Sequence, residues 1–191
     1  MSVLEIVTVG DPVLRARARE VTADELATPA VQRLIDDMID TMRAAGGAGL
    51  AANQVGELLR IAVIEVDHNP RYPYKPPIPL TVIVNPVIES VGEELVAINE
   101  GCLSVPDLRG MLDRHVTVRV RWLDRDGVAH DELRRGLTAG TFQHEADHLD
   151  GILFLDRVSD PTTFTTWEQF ELHHRDVFIA RITEFVERVG S

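Results

Sequence analysis

The sequence predicts an α+β fold in one domain spanning 1–191: helices near the N-terminus, in the middle and at the C-terminus around several strands. Three observations point there. Apolar residues recur at helical spacing near both ends of the chain, and strand-like runs lie between them. A length of 191 residues with 45% hydrophobic composition suits a single core. No repeat or low-complexity tract divides it.

The first helix is expected over 29–44, where Val31, Leu34, Ile35, Met38, Ile39 and Met42 form one apolar face. Thr28 can cap it, Pro29 sits where a missing N–H costs nothing, and Gly46 and Gly47 end it. The stretch 47–56, GAGLAANQVG, is too irregular to read as a strand. Residues 61–66 (IAVIEV) read as a buried strand. Five prolines at 70, 73, 76, 77 and 79 mark 68–79 as a surface loop. A second strand is expected over 81–87. Val116, Val118, Val120 and Trp122 alternate with polar residues, the pattern of a half-buried strand, and Asp124 to Gly127 is its hairpin turn. A helix over 133–149 follows, closed by Gly151. It contains two glycines, each costing about 1 kcal/mol in a helix interior, so something other than propensity must hold it. A C-terminal helix over 165–189 is expected to pack on the domain through Trp167, Phe170, Phe178, Ile182, Phe185 and Val189, with Thr165 and Glu168 as a capping box.

Charge narrows the function. Lys+Arg total 19 against 31 Asp+Glu, a net charge of −12, which argues against a broad surface for nucleic acid or anionic lipid. No apolar stretch is long enough for a membrane span, and the opening residues lack the form of a signal peptide. The single cysteine cannot form an internal disulfide. A cytoplasmic protein is expected.

His144 and His148 stand four apart, one turn on one helical face, so both imidazoles can reach one metal ion. Glu145 follows the first histidine and can serve as a base. Cys102 would complete a three-ligand site with an open position; buried packing is the ordinary fate of such a cysteine, but the glycine before it and its polar flanks speak for ligation. Gly47 and Gly49 permit close backbone approach, and Gln54 offers an amide donor of the kind that stabilises an oxyanion. Spacing alone does not fix where that amide points.

GAGLAANQVG (47–56), EGCLSVP (100–106) and QHEADHLDG (143–151) together resemble, in order and spacing, the signature motifs of peptide deformylases. The resemblance extends from about residue 7 to 158. It implies an α+β hydrolase, with small antiparallel β-sheets packed around a central HExxH helix, that removes the N-formyl group of formylmethionine from nascent polypeptides, releasing formate. It implies Cys102, His144 and His148 as metal ligands, with Fe2+ as the usual ion and Zn2+, Ni2+ or Co2+ found in prepared protein. Metal-bound water would attack the formyl carbon with Glu145 as general base, while Gln54 and the backbone N–H of Leu103 hold the developing oxyanion. Gly49 would receive the peptide backbone. Ala48, Ile98, Leu137, Thr141 and His144 would border the methionine side chain, and Glu100 with Arg114 would brace the cysteine loop.

Some residues depart from the family pattern. Asn53 precedes Gln54 where threonine or proline is usual, Ala48 is smaller than usual, and Gly140-Thr141 replaces a more hydrophobic pair. These bear on specificity and leave every implied ligand and base in place. Some members dock on the ribosome through a basic C-terminal helix, but residues 167–189 carry five acidic residues and three arginines, which weakens any transient ribosome contact. A monomer is expected rather than a dimer. The competing readings are a deformylase of a specialised formylated substrate, a HExxH metallopeptidase, and a non-catalytic metal-binding module.

Overall fold

Side-chain caps organise the first third of the chain. In the computed structural model, which describes residues 2–67 and 73–191, α1 (Ala23–Leu26) opens on a reciprocal cap in which Glu25 N donates to Thr22 Oγ1 and Thr22 N donates to the Glu25 carboxylate. The expected helix is α2 (Pro29–Ala44), with Thr28 Oγ1 accepting from Val31 N and Ile35, Met38, Ile39 and Met42 buried.

A five-stranded antiparallel sheet forms the frame. Its spatial order is β1 (Gly49–Ala51), β2 (Ile61–Val66), β3 (Ile78–Ser90), β6 (Thr117–Leu123) and β7 (Ala129–Arg135). The stretch read as too irregular for a strand thus supplies a short one, pairing Gly49 with Ile64, before a 3-10 turn at Ala52–Val55. The expected strand over 81–87 is longer on both sides and takes in Pro79. That proline is tolerated because the β2–β3 register shifts between Ile64 and Val66. The rest of the expected proline loop falls partly on residues 68–72, which lie outside the described residues. The alternating strand and its turn are as expected; Asp124 Oδ1 accepts from Asp126 N and Val128 N to close the hairpin.

β4 (Leu95–Cys102) and β5 (Val105–His115) pair along their length from Leu95–His115 to Cys102–Val105, and β8 (Thr165–Thr166) adds to β5. Neither long strand shows a clean apolar alternation, because Asn99, Arg109 and Arg114 are buried and satisfied by polar partners.

The helix α3 (Gly136–Leu149) begins three residues later than expected, since Leu133, Arg134 and Arg135 belong to β7 and pair with β6. Odd and even residues of β2 face opposite ways. Ile61 and Val63 pack with Ile35, Met38 and Met42 of α2, while Ala62 and Ile64 pack with Ala139 and Phe142 of α3. Burial on nearly every face holds α3 despite its glycines. Gly136 has φ +57°, and a Cβ there would lie 2.8 Å from the Ser191 carbonyl carbon; at Gly140 it would lie 2.9 Å from Ile98 Cδ1. Glycine therefore marks close packing at both positions.

After the short α4 (Phe154–Arg157), the expected C-terminal helix is divided into α5 (Trp167–His173) and α6 (Arg175–Val189), with the break at His174. The cap is Thr166, the last residue of β8, which accepts from Gln169 N; the helix starts at Trp167, one residue too late for the expected Thr165–Glu168 box. The apolar stripe is as expected in its centre: Phe170, Phe178, Ile182 and Phe185 are buried against Ile98, Val116 and Leu137.

Candidate active site

α3, the end of β4 and the segment from β1 to the following turn converge on one cavity of about 90 Å³. Cys102 ends β4, His144 and His148 lie one turn apart on α3, and one donor atom from each falls within 4.8 Å of the others. Cys102 Sγ is 3.1 Å from His148 Nε2. His144 Nδ1 contacts Glu100 Oε2 at 2.8 Å, which fixes the ring and leaves Nε2 towards the thiol side.

Glu100 is itself clamped by Arg114, whose Nε and Nη2 donate to its two oxygens at 2.8 and 3.0 Å. Arg114 Nη1 donates to Asp147 at 2.6 Å, and Asp147 also accepts from Arg157. This is the expected Glu100–Arg114 brace, extended by two residues that sequence reasoning missed. Asp147 occupies an unfixed position of the HExxH pattern, so the pattern gives no reason to single it out. Burial alone would raise the Glu100 carboxyl, but Arg114 and His144 outweigh it and hold the group well below the usual carboxylate range. Burial likewise opposes the charge on His144, and Glu100 overrides it and raises the ring well above its ordinary value. His148 is driven the other way, well below its ordinary value, by burial and by neighbouring His144.

Glu145 is 3% exposed, and burial pushes its carboxyl up to about 7, against the pull of His144 and Lys75. Such a group can take and return a proton near neutrality. Its Oε2 is buried and has no hydrogen-bond partner among the described residues. Gly49 explains how it fits: a Cβ there would lie 2.5 Å from Glu145 Cδ and 2.8 Å from Cγ. Gln54 is held by Ala51 N donating to its Oε1 at 2.9 Å, so that its Nε2 points to Ser104 Oγ at 3.1 Å and Cys102 Sγ at 3.5 Å. Asn53 anchors the turn by donating to the His148 carbonyl at 2.6 Å.

The cavity wall includes Ala48, Gly49, Gln54, Ile98, Cys102, Leu103, Leu137, Thr141, His144 and Glu145. The expected catalytic, substrate-facing and ligand residues other than His148 thus line one cavity; His148 is buried beside Cys102, and Asn53 and Arg114 lie outside the lining. Tyr74, Lys75 and Trp167 also line the cavity and were missed. Lys75 had an available signal: it is the sole lysine in a chain with 19 basic residues. Burial lowers its ammonium below the ordinary lysine value, while Glu100 and Glu145 pull it upward.

One thiol, two imidazoles, of which His144 is braced from behind by Glu100, and an unpartnered carboxylate oxygen suit a divalent, borderline-soft ion with a position open to substrate. The residues fit a metal centre.

Comparison with known proteins agrees with this geometry. The family model described as polypeptide deformylase matches residues 3–164. A peptide deformylase of Leptospira biflexa is 41% identical over 165 residues, covering 86% of this chain and 92% of that one. Peptide deformylase 1 of Corynebacterium efficiens is 46% identical over 166 residues, covering 84% and 89%. Among solved structures, a Met-Ala-Ser-bound class I type b peptide deformylase from Acinetobacter baumannii aligns with a TM-score of 0.80 at 40% identity, over 83% of this chain and all of that chain.

Proposed function

The chain belongs to the polypeptide deformylase family, and from that premise we propose how its own residues carry out the reaction on formylmethionyl nascent peptides. It is a metal-dependent hydrolase that removes N-formyl groups. The observation that carries the residue assignment is the convergence of Cys102, His144 and His148 within 4.8 Å beside the buried Glu145.

Cys102, His144 and His148 would hold the ion, Fe2+ by family resemblance with Zn2+, Ni2+ or Co2+ able to replace it, which when bound supplies Lewis acidity towards the formyl oxygen and makes water more acidic. Glu145 takes the proton from the attacking water and hands it to the departing amine nitrogen as the C–N bond breaks, so formate and a free amino terminus result. Gln54 Nε2 and Leu103 N–H donate to the formyl oxygen as it gains negative charge. β1 is the edge strand of its sheet, which supports Gly49 as the place where the peptide backbone lies alongside. Ala48, Ile98, Leu137 and Thr141 surround the first side chain.

α6 reads as a packed helix of a cytoplasmic monomer and not as a ribosome anchor. Its arginines are engaged within the molecule, Arg175 by Glu171, Arg181 by the Ala97 carbonyl and Arg188 by Glu94. Among the described residues no helix is long and apolar enough to cross a membrane.

The test is anaerobic formate release from formyl-Met-Ala-Ser by Fe2+-loaded protein, with Glu145→Ala as control and metal determined on both. Turnover that disappears in the variant while metal stays bound supports the division between ligands and base. Equal turnover in the two proteins would overturn it.

A further inference from the structure

Lys75 bears on which first side chain the cavity accepts, an inference that rests on the deformylase reading. Its Nζ donates to Thr141 Oγ1 at 3.1 Å, and both residues line the cavity with Ile98 and Leu137. The Thr141 hydroxyl donates in turn to the Leu137 carbonyl, also at 3.1 Å, so its oxygen is presented to the ammonium. The segment that delivers Lys75 is seated from outside the three motifs: the Tyr74 ring stands edge-on to Phe178 of α6 with centroids 5.3 Å apart. This is a supported lysine directed inward, in a chain that uses arginine at every other basic position.

The chemistry of that placement is specific. Ala48, Ile98 and Leu137 offer only apolar contact and accept a hydrocarbon end as readily as any other. An ammonium already held by Thr141 puts a positive charge in that wall, which an acceptor-ended side chain meets favourably and a purely aliphatic one does not. We propose that Lys75 is a specificity-determining residue that favours a first side chain ending in a hydrogen-bond acceptor. Methionine satisfies it weakly through its thioether. Glutamine, of similar length and ending in an oxygen, satisfies it strongly, and norleucine does not satisfy it at all.

The experiment compares kcat/KM for formyl-Gln-Ala-Ser, formyl-Met-Ala-Ser and formyl-norleucyl-Ala-Ser in Fe2+-loaded wild type, Lys75→Met and Lys75→Arg. The glutamine-to-norleucine ratio should fall about tenfold in Lys75→Met, the worth of one charge-assisted hydrogen bond. Lys75→Arg, which keeps a donor, should retain most of the ratio. Because the chain has one lysine, reductive methylation with 13C-formaldehyde gives a single lysine resonance, and Gln-Ala-Ser should shift it more than norleucyl-Ala-Ser. Equal ratios in wild type and Lys75→Met, with turnover intact, would overturn the role of Lys75 and leave the deformylase reading standing. Absence of turnover on all three peptides would overturn both.

Discussion

Gly49→Ala is the sharpest probe of how the base is held. The three atoms nearest an added Cβ all belong to Glu145, with Cδ at 2.5 Å and Cγ at 2.8 Å. Ordinary carbon contacts need about 3.5 Å, so the carboxylate must retreat by about 1 Å. At 3% exposure Glu145 has little room to do so. A displacement of that size in a reacting group costs on the order of 100-fold, about 2.7 kcal/mol in the barrier. The overpacking itself should cost about 1–3 kcal/mol of stability. The assay pairs kcat for formate release with metal content and a melting curve, and metal should remain because none of its three expected ligands is among those nearest atoms. Shortening the crowded side chain provides an internal check: Glu145→Asp should cost less in the Gly49→Ala background than alone. A kcat within about threefold of wild type, with the protein folded, would refute the steric reasoning.

Three further outcomes are expected. Glu100→Gln weakens the clamp on His144 and should lower metal affinity by about 10- to 100-fold in chelator competition, and an unchanged affinity would count against the brace. Phe142, fully buried where α3 meets the sheet and beside Trp122 of β6, should cost about 3–5 kcal/mol as Phe142→Ala in urea unfolding, and a loss below about 1 kcal/mol would mean the site collapses freely. The hydrogen bond from Arg19 holds exposed Glu25 at about 2 instead of 4.5, so its stabilising contribution is present above pH 4.5 and is lost as pH falls through 2. Glu25→Gln should therefore differ from wild type in urea midpoint at pH 7 and converge with it near pH 2; a gap independent of pH would contradict the linkage.

The parts of the fold that were legible in the sequence are those where one local rule dominates. Thr28-Pro29 and a 3.6-residue stripe give α2 to the residue, and strict alternation gives β6. The site was legible because ligand chemistry demands particular residue types at fixed spacing. β4 and β5 escaped notice because they bury Asn99, Arg109 and Arg114 in polar pairs, which erases the apolar period. The late start of α3 follows from Leu133, Arg134 and Arg135 pairing with β6 across a local hairpin, and the helices on either side of His174 pack Phe170 and Phe178 with Ile98, far along the chain. Tyr74, Lys75 and Trp167 reach the cavity from segments with no motif of their own, so only the tertiary fold brings them to it.

The line Glu100–Arg114–Asp147–Arg157 alternates in sign, and its members differ in access to water: the Arg157 side chain is 46% exposed, whereas that of Arg114 is 4% exposed. Parity therefore governs how this part of the molecule can drift in sequence. Loss of the outer arginine exposes Asp147 to a solvent that can replace it. Loss of an inner charge strands its neighbour in a medium that cannot. Sequence change here should proceed from the rim inward, or in matched pairs, giving the site a direction of tolerated variation that its catalytic residues alone would not impose.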